Sequence, residues 1–249
     1  VRNRPLALIP LFVSSLCLVY LLRLSAHDTR YLVPAVAVVV VTLMPALLAR
    51  RRMRRVLKSG DVHGVLRAWQ QAMDRVPHAE TMAPLMIATA YASNGWLDAA
   101  RMALSRAVKG PAWDAAREQR LFIETLLCTF EGENQAALAK AEELQTLPLP
   151  TSGMFLRRRI TQLRQGVLSL VRAFAHQSDA SDEKHLARAA AASPIVHWAM
   201  RYAEAIVAID HGERDRARAL IASAPEWPQQ SAFASFHAEL MGKLGGAIG

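Results

Sequence analysis

The chain has 249 residues, 52% of them hydrophobic and 20% charged, which excludes a disordered chain and allows one or two domains. Its net charge of +9 suggests a polyanionic partner, but residues 1–58 hold ten basic residues against one acidic, leaving twenty of each sign in the rest. A nucleic-acid-binding domain would carry its basic face where it folds, so nucleic acid is set aside and the excess charge is assigned to the flanks of apolar segments.

The first element is an apolar run from Leu6 to Leu22, and the second runs from Tyr31 to Ala49. Both approach the ~20 residues that cross a bilayer as a helix, which predicts a transmembrane hairpin over residues 1–49, with spans over about 6–24 and 31–49. A cleaved leader would end in small residues, and Leu24-Ser25-Ala26 meets that pattern only at its last position, so the first span is expected to stay. Pro34 suits an early helical turn, and Pro45 should bend the second span. Directly behind come Arg50, Arg51, Arg52, Arg54, Arg55 and Lys58. Basic residues next to a span remain on the cytoplasmic side, so the N-terminus and everything after the second span are expected in the cytoplasm of a bacterial-type inner membrane. The same residues are candidates for holding anionic lipid headgroups. Cys17 and Cys128 are too far apart in the chain to suggest a disulfide or a shared metal site.

From Gly60 onward the pattern is helical throughout, giving an all-α chain. Turn signals recur at SGD (59–61), NGW (94–96), EGEN (131–134) and HGER (211–214), so Gly60, Gly95, Gly132 and Gly212 stand 35, 37 and 80 residues apart. Periods of ~20–50 residues mark stacked helical repeats, and the doubled gap leaves room for a degenerate unit between Met154 and Ala192. The helix before Gly60 must include Arg50 to Lys58, so the second span is expected to run on into the first hairpin. Repeat hairpins are expected over residues 50–148 and, after the LPLPTSG boundary at 147–153, over 149–228, followed by a C-terminal helix and flexible tail at 229–249.

The stretch TAYASNGWLDAARMALSRAVKGP (89–111) resembles a tetratricopeptide repeat. The family's small and aromatic positions would fall to Ala88, Tyr91, Gly95, Ala100, Leu104 and Ala107, with Pro111 as the stop. Residues 57–77, 121–148 and 202–225 carry the same turn and second-helix pattern less completely, with Cys128 and Ala208 where an aromatic belongs. The resemblance implies an α-solenoid of about five hairpins whose first helices line a concave groove, with Leu85, Thr89, Phe122, Leu126, Phe130 and Tyr202 as candidate partner-binding residues; the alternative is that these side chains form the core between repeats. The family's Lys and Asn clamp for a peptide carboxylate has no counterpart here. Two spans followed by repeats also resemble the layout of HemY-type membrane proteins.

No catalytic, phosphate-loop or cofactor motif is present, so no catalytic residue, cofactor or metal ligand is assigned. His176 and His185 flank Asp179, Asp182 and Glu183, which read as a solvated turn with a helix starting at Ser181 or Asp182. Arg157, Arg158, Arg159 and Arg164 form the densest basic patch away from the apolar segments, suited to acidic side chains or phosphate. The expected function is a membrane-anchored scaffold that binds protein partners. The rival is an accessory subunit of a larger membrane complex, with the spans as its main interface.

Overall fold

A helix that ends on a left-handed residue needs glycine there, or must bear the strain of a side chain. That rule sets most of the architecture. The computed structural model describes residues 20, 23, 30, 32–151 and 153–245, and these are all-helical, with no strand among them. The chain divides into two compact units, Val1–Arg55 and Val56–Gly249.

Helix α1, Leu32–Lys58, has Pro34 in its first turn, continues past Pro45 and includes all of Arg50 to Lys58. The expected span over 6–24 lies outside the described residues except for Tyr20 and Arg23. Among the described residues no helix is long and apolar enough to cross a membrane. The charge-free part of α1, from Leu32 to Ala49, would rise about 27 Å, short of the ~30 Å of a hydrocarbon core, before arginine begins at position 50. The structure therefore does not support the two-span hairpin read from the sequence.

The second unit takes in the last turn of α1 and then α2 (Val62–Met73), α3 (Ala79–Ser93), α4 (Leu97–Ser105), α5 (Pro111–Ala115), α6 (Arg117–Phe130) and α7 (Asn134–Thr146). It continues with α8 (Met154–Phe174), α9 (Asp182–Ala192), α10 (His197–Asp210), α11 (Arg214–Ile221) and α12 (Ala232–Gly245). Asp61 caps α2 by accepting from Gly64 N at 2.9 Å. Four helix pairs pack as hairpins: α3 with α4, α6 with α7, α8 with α9, and α10 with α11. Their first helices touch in succession, α3 to α6, α6 to α8 and α8 to α10. The proline-rich boundary at 147–153 lies inside this one unit.

The four hairpin turns share one hydrogen-bond pattern. In each, the left-handed residue donates its N–H to the carbonyl three back, and the next residue donates to the carbonyl five back. The second of these bonds is Trp96 N to Tyr91 O at 3.0 Å, Glu133 N to Cys128 O at 2.8 Å and Glu213 N to Ala208 O at 2.7 Å. Their left-handed residues are Gly95 (φ 75°), Gly132 (φ 81°) and Gly212 (φ 80°). His176 completes the set with φ 54° and Gln177 N donating to Arg172 O at 2.8 Å. The doubled gap between Gly132 and Gly212 thus holds a complete hairpin whose turn residue is histidine.

The expected C-terminal helix is present as α12, and it extends through Lys243 and Leu244, where a frayed tail was expected. Phe233 is fully buried, and Leu240 and Leu244 are buried with it. Ala232 N donates to Gly95 O at 2.8 Å, and Ser231 Oγ donates to Asn94 O at 2.7 Å. Apolar burial drives this return, because the aromatic side chains of residues 227–236 find rings already presented by α6, α8 and α10. Residues 246–249 lie outside the described residues.

Candidate functional site

The inner face of the first helices was the expected groove, and the structure divides it in two. Leu85, Leu126 and Tyr202 are fully buried, and Phe130 is nearly so. Phe130 sits 5.3 Å from Phe233 and 5.8 Å from Phe236, ring centre to ring centre, and Phe174 lies 5.2 Å from Phe236. Tyr202 lies 5.2 Å from Phe233; its hydroxyl accepts from Trp227 Nε1 at 2.6 Å and meets His237 Nδ1 at 3.1 Å. Burial pushes the Tyr202 hydroxyl well above the usual phenol range, and the Trp227 bond only partly opposes it. The C-terminal segment packs on Phe130 and Tyr202, and Leu85 and Leu126 are buried in the same core.

Thr89 is half-buried and Phe122 is buried. They line an apolar cavity of about 670 Å³ formed by Met82 and Thr89 of α3, Ala112 and Ala115 of α5, Gln119 and Phe122 of α6, and Ile160 and Leu163 of α8. The turn at Val76–His78 and the loop residues Ser193 and Ile195 complete its wall. Residues 82/89, 119/122 and 160/163 are spaced by whole helical turns, so three successive first helices each aim one face at this space. Gln119 Nε2 donates to Thr89 Oγ1 at 3.0 Å, and Thr89 Oγ1 donates to Leu85 O at 2.8 Å, fixing the polar rim.

Arg164 also borders the cavity, with 3% of its surface exposed. Its guanidinium donates to Glu118 Oε1 at 3.0 Å, to Leu147 O at 2.5 Å and to Pro148 O at 3.3 Å. That fork ties the proline-rich loop to α8 and removes Arg164 from the basic patch expected of it. Arg157, Arg158 and Arg159 are exposed, and Arg159 donates to Ala192 O at 3.0 Å. Arg50, Arg51, Arg52, Arg54, Arg55 and Lys58 are all exposed on α1.

The acidic loop before α9 is held by protein contacts. Asp182 is buried, accepting from Ser169 Oγ at 2.7 Å and from Asp179 N at 2.9 Å. Those two bonds and Arg172 nearby hold it at the start of α9. Asp179 accepts from both the N–H and the hydroxyl of Ser181, which pulls its carboxyl below the usual range, with Arg172 adding to the effect. Glu183 pairs with Arg216, and His176 Nδ1 lies 2.9 Å from Asp210. Among the described residues no three His, Cys, Asp or Glu side chains are placed to hold a metal ion.

The cavity wall contributed by α8 was not singled out from the sequence. Its signal was present, since Leu156, Ile160, Leu163, Val167 and Leu170 recur at helical spacing along one face. No family model matches the chain, and neither does any curated protein or solved structure.

Proposed function

We propose that this chain is a membrane-anchored scaffold of tetratricopeptide-like hairpins that takes an apolar segment of a protein partner in the cavity bounded by α3, α6 and α8. The cavity is the observation that carries this reading. Its ~670 Å³ falls within the ~300–1,000 Å³ typical of ligand sites, its walls are apolar, and its polar groups are few and fixed. The hydroxyl and amide of Thr89 and Gln119 lie beside apolar walls, which suits the mixture of side chain and main chain that a peptide brings. The four identical turns and the succession of first helices support the resemblance to tetratricopeptide repeats.

Membrane anchoring is proposed from α1. Val33, Val36, Val41, Leu43, Leu47 and Leu48 are all half exposed or more, and six basic residues follow. Such a helix is covered by lipid when its short apolar part is matched by local bilayer thinning and by arginines reaching to the interface. The cytoplasmic placement of the hairpins follows from those arginines. The same exposed face favours a second reading, an accessory subunit of a membrane complex, in which partner helices cover α1.

A photoreactive benzoylphenylalanine placed at Thr89 in the full chain tests the reading in intact cells. The expected result is a discrete adduct with one partner protein, absent when the group is at exposed Met102 and lost when Ala115→Trp fills the mouth of the cavity. Equal labelling from Thr89 and Met102, or an adduct indifferent to Ala115→Trp, overturns it. Stoichiometric membrane proteins crosslinked from α1 alone favour the subunit reading.

A further inference from the structure

The start of α8 uses neither the hairpin core nor the cavity, yet among the described residues of the second unit it holds the two most exposed large apolar side chains. Met154 is 83% exposed and Phe155 85%, with Leu156 beside them. Arg157, Arg158 and Arg159 follow immediately, and no acidic residue occurs anywhere from 144 to 178.

Six consecutive residues sweep the whole circumference of a helix, so this motif is not divided into an apolar face and a basic face. It is divided along the axis, with three apolar residues leading and three arginines forming a collar behind. At ~1.5 Å rise per residue the centres of the two groups are about 4.5 Å apart along the helix, comparable to the ~5–10 Å by which apolar side chains enter a bilayer interface. Enclosed protein partners would require a socket of matching depth. A lipid surface supplies that layering at every point, acyl boundary first and phosphate outside it.

A second cavity lies at the base of the collar. It measures about 380 Å³ and is lined by Gln145, Leu147, Leu149, Arg157, Thr161 and Arg164. The Gln145 side-chain nitrogen is buried there without a hydrogen-bond partner. An N–H donor left unmatched beside an exposed guanidinium suits an oxyanion, and a phosphodiester fits both.

We propose that Met154–Arg159 is an anionic-phospholipid contact. The Met154, Phe155 and Leu156 side chains enter the interface, Arg158 and Arg159 face the headgroup layer, and Arg157 with Gln145 takes one lipid phosphate. The contact does not require α1 to cross the bilayer, and it can fail while the anchoring reading stands.

The test places benzoylphenylalanine at Phe155 of the full chain, mixes the protein with vesicles of phosphatidylcholine alone or with about one third phosphatidylglycerol, and illuminates. Because the adduct forms at residue 155, capture of the chain through α1 does not imitate it. The expected result is a lipid adduct at least about tenfold stronger on the anionic vesicles and absent when the group is at Met102, since each basic residue at such a surface is worth roughly fivefold in partitioning. Arg157→Glu with Arg158→Glu should remove most of the adduct without lowering the unfolding temperature, both side chains being exposed. Gln145→Leu should lower it a fewfold. An adduct with a second copy of the chain, equal yield on both vesicle types, or no lipid adduct from residue 155 overturns the proposal. Vesicle flotation of the chain without that adduct overturns the contact and leaves the anchor intact.

Discussion

Gly60 and Gly95 look like Gly132 and Gly212 in the sequence, and all four adopt the same left-handed backbone, yet they serve two different purposes. A Cβ at Gly60 would come within 2.7 Å of Pro225 and 2.9 Å of Trp227, and one at Gly95 within 2.9 Å of Ser231 Oγ and 3.1 Å of the Phe233 backbone nitrogen. At Gly132 and Gly212 a Cβ would meet nothing within 4 Å. The first two turns are where the C-terminal segment closes onto the beginning of the second unit; the other two face open space. The comparison teaches that a turn glycine reports backbone conformation, while whether another segment lies on it depends on residues more than a hundred positions away.

The sharpest way to break the comparison is at the closure itself. Phe233→Ala removes a fully buried ring that touches Phe130, Tyr202 and Trp227, and is expected to cost about 3–5 kcal/mol in chemical denaturation. Gly95→Ala adds a close contact to left-handed strain and is expected to cost about 3 kcal/mol. A loss below about 1 kcal/mol at either position would mean that α12 does not hold this end closed in solution.

The closed end also carries a pH signature. His197 begins α10 beside Trp198, whose Nε1 donates to Lys58 O at 2.7 Å, tying the end of α1 to α10. Burial lowers the His197 imidazole to about 4, with Lys58 and Arg201 pushing the same way. Below pH 6.5 the unfolded chain takes up a proton that the folded chain refuses until near pH 4, so stability falls as pH drops through that window and levels off below it. The loss is expected to be on the order of 2 kcal/mol. Glu204 acts in the opposite sense, because burial raises its carboxyl despite Arg201, and above the ordinary carboxylate range it costs stability as pH rises. Unfolding curves at pH 7 and pH 5 for the parent and for His197→Gln separate the two groups. The parent should lose more than the variant; equal losses would remove His197 as the cause.

Much of this was legible in the sequence, and the failures have physical reasons. Glycine spacing located three hairpin turns because the left-handed cap demands glycine at little alternative. The fourth was hidden because His176 accepts the strain and no local pattern announces that. Leu85, Phe122, Leu126, Phe130 and Tyr202 are buried and Thr89 is half-buried, since periodicity says which face is apolar but not what covers it. Arg164 was grouped with Arg157 by helical spacing. Two turns further along the helix its guanidinium is buried and donates to Glu118 and two loop carbonyls. Gly166 carried no turn signal at all, yet its Cβ would stand 2.2 Å from that of Ala189, so its smallness is what lets α8 and α9 meet. The first expected span, over about 6–24, lies outside the described residues apart from Tyr20 and Arg23.

At the open turns the effects should be smaller and purely conformational. Gly132→Ala and Gly212→Ala are each expected to cost about 1–2 kcal/mol, the strain of a side chain in left-handed backbone with no clash added. The smallest effect, and the most informative about the hidden hairpin, is expected from His176→Gly. Glycine would relieve strain of about 1 kcal/mol at φ 54°, which taken alone stabilises the fold. It would also delete the contact between His176 Nδ1 and Asp210, a partly exposed pair worth about 0.2–1 kcal/mol. The two nearly cancel, so the variant should be equal to the parent or slightly more stable in chemical denaturation. Asp210→Asn removes the carboxylate while keeping the left-handed histidine, so it should cost at most about 1 kcal/mol. If His176→Gly instead costs more than about 2 kcal/mol, histidine is holding α8 to α10 by more than its ring contact, and this turn is not equivalent to those at Gly132 and Gly212.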